Sequence, residues 1–177
     1  MDSRKDDLLI YVTQINRTKI MLHTIRTKQL INSDIATVWE FISTPSNLAL
    51  ITPDFMRFEI LNDKRDIGKM YPGQIIEYKV SPLKGIRMNW VTEITHVLEN
   101  EYFVDEQRMG PYSFWHHKHF LKEVECAVEM TDIIHYRVPF GSLGVLLNTI
   151  FIKNRLKVIF DYRFKKIDEI FNHKIKT

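Results

Sequence analysis

The chain has 177 residues, enough for one domain with a substantial core, and its 45% apolar and 12% aromatic content excludes a disordered polymer. A formal charge of +3 is slight, and the charges along the strands are too mixed for a nucleic-acid-binding face. The single cysteine, Cys126, excludes an internal disulfide and gives no support to an oxidising compartment, so cytoplasm is the default.

Residues 1–20 pair charged flanks with a short apolar run, Leu8–Val12, and lack the pattern of a signal peptide. They read as an N-terminal extension to a domain spanning 21–177. His23–Ile31 mixes polar and β-branched residues as a first strand does. Asn32-Ser33-Asp34 then offers side-chain acceptors to a helix start. Ile35, Val38, Trp39 and Ile42 follow at helical spacing. Thr44-Pro45-Ser46-Asn47 breaks this helix, and Leu48–Ile51 makes another turn before Pro53.

Phe58 and Ile60 mark a second strand, ended by the loop from Asn62 to Gly68. Pro72-Gly73 is a turn. Ile76, Tyr78 and Val80 alternate on a third strand, which Ser81–Gly85 closes. Met88–Leu98, Tyr102–Met109, Phe114–Val124 and Val128–Val138 are four more strands, with connections short enough for antiparallel hairpins. After Pro139-Phe140-Gly141, the spacing predicts one helix over Leu143–Phe171. Its apolar face would run from Leu143, Leu146, Leu147, Ile150 and Phe151 through Leu156, Ile159 and Phe160 to Ile167. This order predicts an α+β fold: a curved seven-stranded antiparallel sheet wrapped around a long C-terminal helix.

Residues 149–177 carry eight Lys/Arg against three Asp/Glu. A solvated helix face accounts for them. A membrane-surface or partner-docking role for the basic stretch 153–166 is the alternative. No window reaches the ~18 apolar residues of a membrane span.

The sharpest chemical feature is Phe114-Trp-His-His-Lys-His119. Alternation sends Trp115, His117, His119 and Leu121 to one face, read as inward, and Phe114, His116, Lys118 and Phe120 to the other. A hairpin turn at Glu125-Cys126 would set His117 opposite Ile134, His119 opposite Asp132, Trp115 opposite Tyr136 and His116 opposite His135. A slip of one residue would reverse the faces. Three readings follow. His117, His119 and Asp132 supply three metal ligands; His119 and Asp132 form an acid–base pair; or the cluster is a hydrogen-bonded network that holds two strands in register. On the preceding strand either Asp105 and Gln107 or Glu106 points inward, and an inward Glu106 or Gln107 would pair with His117. Tyr78, Trp90, Trp115 and Tyr136 are aromatic candidates for a lining. Phosphate loops, HExxH, CxxC and nucleophile elbows are absent from the sequence.

Ile31-Asn-Ser-Asp-Ile-Ala-Thr-Val-Trp-Glu-Phe-Ile42, Asn47-Leu48 and Ile51-Thr-Pro53 resemble the opening of the START/polyketide-cyclase-like (SRPBCC) superfamily, the helix-grip fold. Phe103–Gln107, Gly110-Pro111, Trp115–His119, Met130-Thr-Asp132, Tyr136–Gly141 and Leu143-Gly144 resemble a bacterial subgroup described as ligand-binding or cyclase/dehydrase-like. The resemblance spans about residues 22–172. Asp34 stands where the subgroup often has proline, and Glu125-Cys126-Ala127 replaces its usual Asp-Gly-Gly type of turn. The resemblance implies a hydrophobic cavity between the sheet and the last helix.

The expected function is therefore binding of a small hydrophobic molecule (a lipid, quinone or polyketide) against Leu143–Ile159. Tyr78, Trp90, Gln107, Trp115, His117, His119, Asp132, Tyr136, Leu147 and Phe151 would contact it. No cofactor, resident metal or nucleic acid is expected. The alternative is a polyketide cyclase or dehydratase in which His119 and Asp132 move protons.

Overall fold

The structure is a computed structural model that describes residues 22–63, 68–83 and 86–172, with Leu83 described by its backbone. The expected N-terminal extension, 1–20, lies outside the described residues. Strands β1 (His23–Ile31), β2 (Glu59–Ile60), β3 (Gln74–Leu83), β4 (Ile86–Leu98), β5 (Tyr102–Met109), β6 (Phe114–Val124) and β7 (Ala127–Arg137) form one antiparallel sheet in the order β1-β7-β6-β5-β4-β3-β2. This is the expected α+β architecture. Among its fully buried residues are Ile31, Val128 and Ile134, each worth roughly 1.5–3 kcal/mol of burial.

Helix α1 (Ile35–Ile42) starts where the acceptor cluster predicts. The Asp34 carboxylate accepts from the Thr37 backbone N–H at 2.8 Å and from its hydroxyl at 2.7 Å. A capping aspartate thus does the work at this helix start, and Val38 and Trp39 turn into the core. Single 3-10 turns at Pro45–Ala49 and Asp54–Met56 follow. β3 continues through Pro82, which the sequence reading assigned to a closing turn. The ladder shifts register between Val80 and Leu83, because proline has no N–H for a ladder bond.

The C-terminal helix departs most from expectation. It begins at Gly141 and runs as α2 (Gly141–Leu147), a π-turn (Asn148–Ile152) and α3 (Lys153–Phe171). Leu143, Leu146, Leu147, Ile150 and Phe151 are not part of one continuous buried face; they are 43–65% exposed. The cause is phase. Phe151 and Leu156 are five residues apart, about 140° past a full turn at the helical pitch, and the wider π-turn absorbs only part of that offset. Asn148 sits buried in the π-turn, where its Oδ1 accepts from the Tyr136 hydroxyl at 3.0 Å and its Nδ2 lies 3.1 Å from His23 Nε2.

Helix α3 is the gripped element. Leu156, Ile159, Phe160 and Ile167 are buried. Three polar latches fasten it. Arg155 Nε donates to the Pro82 carbonyl at 3.1 Å while its guanidinium lies 3.7 Å from the Phe55 ring centroid. Gln29 Nε2 donates to the Phe164 carbonyl at 2.9 Å, and the Asn32 N–H donates to Asn172 Oδ1 at 2.8 Å.

Candidate functional site

The expected register of the β6–β7 hairpin is present. His117 pairs with Ile134, His119 with Asp132, Trp115 with Tyr136 and His116 with His135. The hairpin closes at Glu125-Cys126, where Glu125 takes a positive φ of 51°. Trp115, His117 and Leu121 are consequently buried on the concave face.

Between that face and α3 lies a cavity of about 160 Å³. Ile94, Met130, Leu156, Ile159 and Phe160 give it an apolar wall, and the helical turns after β1 contribute Phe41, Leu48 and Met56. One end carries rings. Trp90 meets Trp115 edge-on at 5.3 Å between centroids and Tyr112 at 5.6 Å. The Trp90 indole N–H donates to Thr92 Oγ1 at 3.0 Å.

A polar wall is built by β5, β6, β7 and α3 through Asp105, His117, His119, Asp132 and Arg163. Asp105, like Phe103 two residues before it, points inward from β5, and it pairs with His117 across the ladder. His119 Nε2 lies 2.9 Å from Asp105 Oδ2, and its Nδ1 lies 2.8 Å from Asp132 Oδ1. His117 repeats the pattern, with Nδ1 3.4 Å from Asp105 Oδ2 and Nε2 3.2 Å from Asp132 Oδ1. The two imidazoles lie 3.7 Å apart between centroids, and His119 stacks on Phe103 at 4.0 Å. Thr27 Oγ1 donates to the second Asp132 oxygen at 3.2 Å.

Burial sets the charges of this cluster against one another. Burial opposes charge on His119, but Asp132 and then Asp105 overcome it and raise the imidazole above its ordinary value. Burial and the neighbouring His119 lower His117 despite both carboxylates. Burial would raise Asp132, yet the two imidazoles hold it well below the usual carboxylate range; Asp105 is lowered by His117 and His119 in the same way. These directions favour charge on both carboxylates and on His119 and oppose it on His117, so that with the Arg163 guanidinium the favoured set has no net charge. A buried imidazolium beside a cavity is chemically a general acid and a hydrogen-bond donor.

Of the residues singled out from sequence, Tyr78, Trp90, Trp115, His117, His119 and Asp132 line the cavity. Gln107, Leu147, Phe151 and Tyr136 do not. The Gln107 amide closes the β5–β6 connection instead, donating to the Tyr112 carbonyl at 2.6 Å and accepting from its N–H at 3.2 Å. Glu106 points away and pairs with Arg108 at 3.0 Å. Tyr136 packs beside Trp115 in the buried cluster, and Leu147 and Phe151 belong to the exposed part of the C-terminal helix.

Arg163 was missed, because it was grouped with the solvated basic stretch 153–166. It follows Ile159 by four residues and precedes Ile167 by four, in the middle of the buried stripe. Its Nε is buried without a hydrogen-bond partner, and it forms no ion pair within 4 Å among the described residues.

Neither a protein-family model nor a curated protein sequence matches the chain. Solved structures do. The protein CV1439 from Chromobacterium violaceum superposes with a TM-score of 0.64 at 12% identity, over 84% of this chain and 96% of that one. Protein Ms6760 from Mycobacterium smegmatis gives 0.60 at 13%, over 83% and 89%. The major latex-like protein 151 from Panax ginseng gives 0.58 at 12%, over 85% and 97%. Identities this low speak for the fold alone. The chain thus has the helix-grip fold of the START/polyketide-cyclase-like superfamily that its sequence resembles.

Proposed function

We propose that the protein binds a compact, largely apolar molecule bearing one anionic group, with the ring system between Trp90, Ile94, Ile159 and Phe160 and the anion at Arg163. The carrying observation is a largely apolar cavity with the Arg163 guanidinium in its wall, whose buried Nε has no hydrogen-bond partner. Volume narrows the guest class. An apolar cavity of about 150 Å³ holds one benzene ring, so 160 Å³ suits a one- or two-ring core and not an extended acyl chain. A ring-sized guest buries roughly 200 Å², worth about 5 kcal/mol before ordering costs. A charge-assisted bond to Arg163 adds about 1.5–3 kcal/mol, so an acid should bind about tenfold to a hundredfold tighter than its neutral isostere. His117, His119 and Asp132 then fix orientation.

NMR titration with benzoate, naphthoate and their carboxamides tests this. Preference for the acids that disappears in Arg163→Met is the expected result. Failure of every ring compound to shift resonances of the cavity residues would overturn the proposal.

The cyclase or dehydratase reading draws support from His119 lying at the cavity wall between two carboxylates. It requires turnover of a polyketone that His119→Gln abolishes while binding persists. A membrane-contact reading is favoured by Phe140, Leu143, Leu146 and Ile150, all exposed on the charge-free stretch 138–152 just ahead of Lys153, Arg155 and Lys157. No helix among the described residues is long and apolar enough to cross a membrane, so this contact would lie at the surface. Sedimentation with anionic vesicles tests it.

A further inference from the structure

The paired contacts of His117 and His119 have an asymmetry that a hydrogen-bonded network alone does not require. Asp132 Oδ1 faces one nitrogen of each ring, His117 Nε2 and His119 Nδ1, and its other oxygen accepts from Thr27. That carboxylate is fully engaged and buried. The remaining nitrogens, His117 Nδ1 and His119 Nε2, converge on a single atom, Asp105 Oδ2, at 3.4 and 2.9 Å. In neutral imidazoles whose N–H groups serve Asp132, both of these nitrogens carry lone pairs. In the metal-free protein the His119 proton fills this contact with Asp105; once it leaves, three donor atoms face one point, where a divalent cation can take its place.

From this convergence we infer that Asp105, His117 and His119 form a binding site for a divalent first-row transition metal, with Asp132 as the outer carboxylate that orients both imidazoles.

The geometry suits such an ion. Ligand atoms of the three residues lie within 4.8 Å of one another. Metal–nitrogen and metal–oxygen bonds of about 2.0–2.2 Å place neighbouring ligand atoms about 3.0–3.5 Å apart in octahedral or tetrahedral coordination, and the 2.9 and 3.4 Å separations fall close to that span. Two imidazoles and one carboxylate are ligands chosen by zinc, iron(II) and cobalt(II) rather than by calcium or magnesium. A metal-bound histidine commonly donates its other N–H to a carboxylate, which fixes ring and tautomer. Asp132 stands where that partner belongs for both rings. Arg163 is electrostatically matched first by Asp132 and then by Asp105.

Coordination replaces the proton shared between His119 and Asp105, and that proton passes to solvent. The three ligands leave coordination positions open. Since all three residues line the cavity, an oxygen donor on a guest can take one. With a divalent ion, two carboxylates and Arg163, the cluster carries one net positive charge, complementary to an anionic guest. The metal site does not depend on the guest-binding reading, because it is measured with no organic ligand present.

Chelator-treated, dialysed full-length protein is titrated with Co²⁺ and followed by visible absorption and calorimetry, with Zn²⁺ as competitor. The expected result is one Co²⁺ per chain, d–d bands of a nitrogen-ligated site and displacement by Zn²⁺. Asp105→Asn and His119→Gln should lose the bands. Asp132→Asn should keep their positions and bind about tenfold to a hundredfold more weakly, the signature of a positioning residue. A rival pair, His116 and His135, lies across the outer face with ring centroids 6.3 Å apart, so the double variant His116→Ala/His135→Ala should bind as wild type does. Absence of stoichiometric binding by the wild-type protein would overturn the assignment, whatever the variants do. So would wild-type bands surviving in His119→Gln, or their loss in the His116/His135 variant.

Discussion

Replacing Asp132 by asparagine removes one charge and almost no volume, which isolates the electrostatics of the buried cluster. The carboxylate is 3% exposed. It accepts from His119 at 2.8 Å, His117 at 3.2 Å and Thr27 at 3.2 Å. An asparagine amide keeps one acceptor oxygen and turns an NH₂ group toward an imidazole N–H or the threonine hydroxyl, a donor facing a donor. Arg163 also loses its first counter-charge. Breaking a buried ion pair by removing one partner costs about 3–5 kcal/mol, a large share of the roughly 5–15 kcal/mol that holds a typical domain folded. At about 2–4 °C per kcal/mol for a chain of this size, Tm should fall by about 6–20 °C. Urea denaturation of chelator-treated wild type, Asp132→Asn, His119→Gln and the double variant measures both the cost and the coupling. The singles should be non-additive by at least about 1 kcal/mol, as contacting residues are. A cost below 1 kcal/mol for Asp132→Asn, or additivity within error, would refute the claim that these charges are mutually buried.

In chelator-treated protein at pH 7, nitrogen-detected NMR should find His119 doubly protonated and His117 neutral. The raised value of His119 stabilises the fold below the ordinary histidine range and is lost as pH rises through its folded value. The lowered Asp105 and Asp132 stabilise above the ordinary carboxylate range and are lost as pH falls through their folded values. Stability should thus decline on both sides of a plateau, whereas a monotonic profile would contradict the charge assignment. Asn148→Ala orphans the buried Tyr136 hydroxyl and should cost about 1–3 kcal/mol in denaturant unfolding. Gly144→Ala places a Cβ 1.9 Å from the Pro139 carbonyl oxygen and should destabilise by about 1–3 kcal/mol; an unchanged midpoint would mean that α2 starts differently. Ile150→Glu, at a position 65% exposed, should leave stability within about 0.5 kcal/mol and abolish any sedimentation with anionic vesicles.

Much of this arrangement is legible in the residues because period-two alternation and a short hairpin leave little freedom. Once Glu125-Cys126 is the turn, the partners of His117 and His119 follow by counting, and Asp34 announces α1 through its cap. β5 was harder. The β4–β5 ladder shifts register between Val91 and Thr92 and again between Ile94 and His96, so alternation could not say whether Asp105 or Glu106 faced inward. Gln107 was misread for a related reason, since the Gly110-Pro111 connection uses its amide as a brace. The C-terminal helix misled through apolarity itself. Leu143 to Phe151 looks like core, and only the step of five to Leu156 betrays that the two halves face different ways. Arg163 was visible as a charge at the centre of a buried stripe, a position where a cation needs carboxylates inside the fold, here Asp132 and then Asp105.

A crystal of the protein pressurised with xenon tests the hollow most directly. Xenon seated among Ile94, Ile159 and Phe160 is the expected result. The same space filled by ordered side chains, or by hydrogen-bonded water with no xenon, would contradict it and remove the ground for an apolar guest.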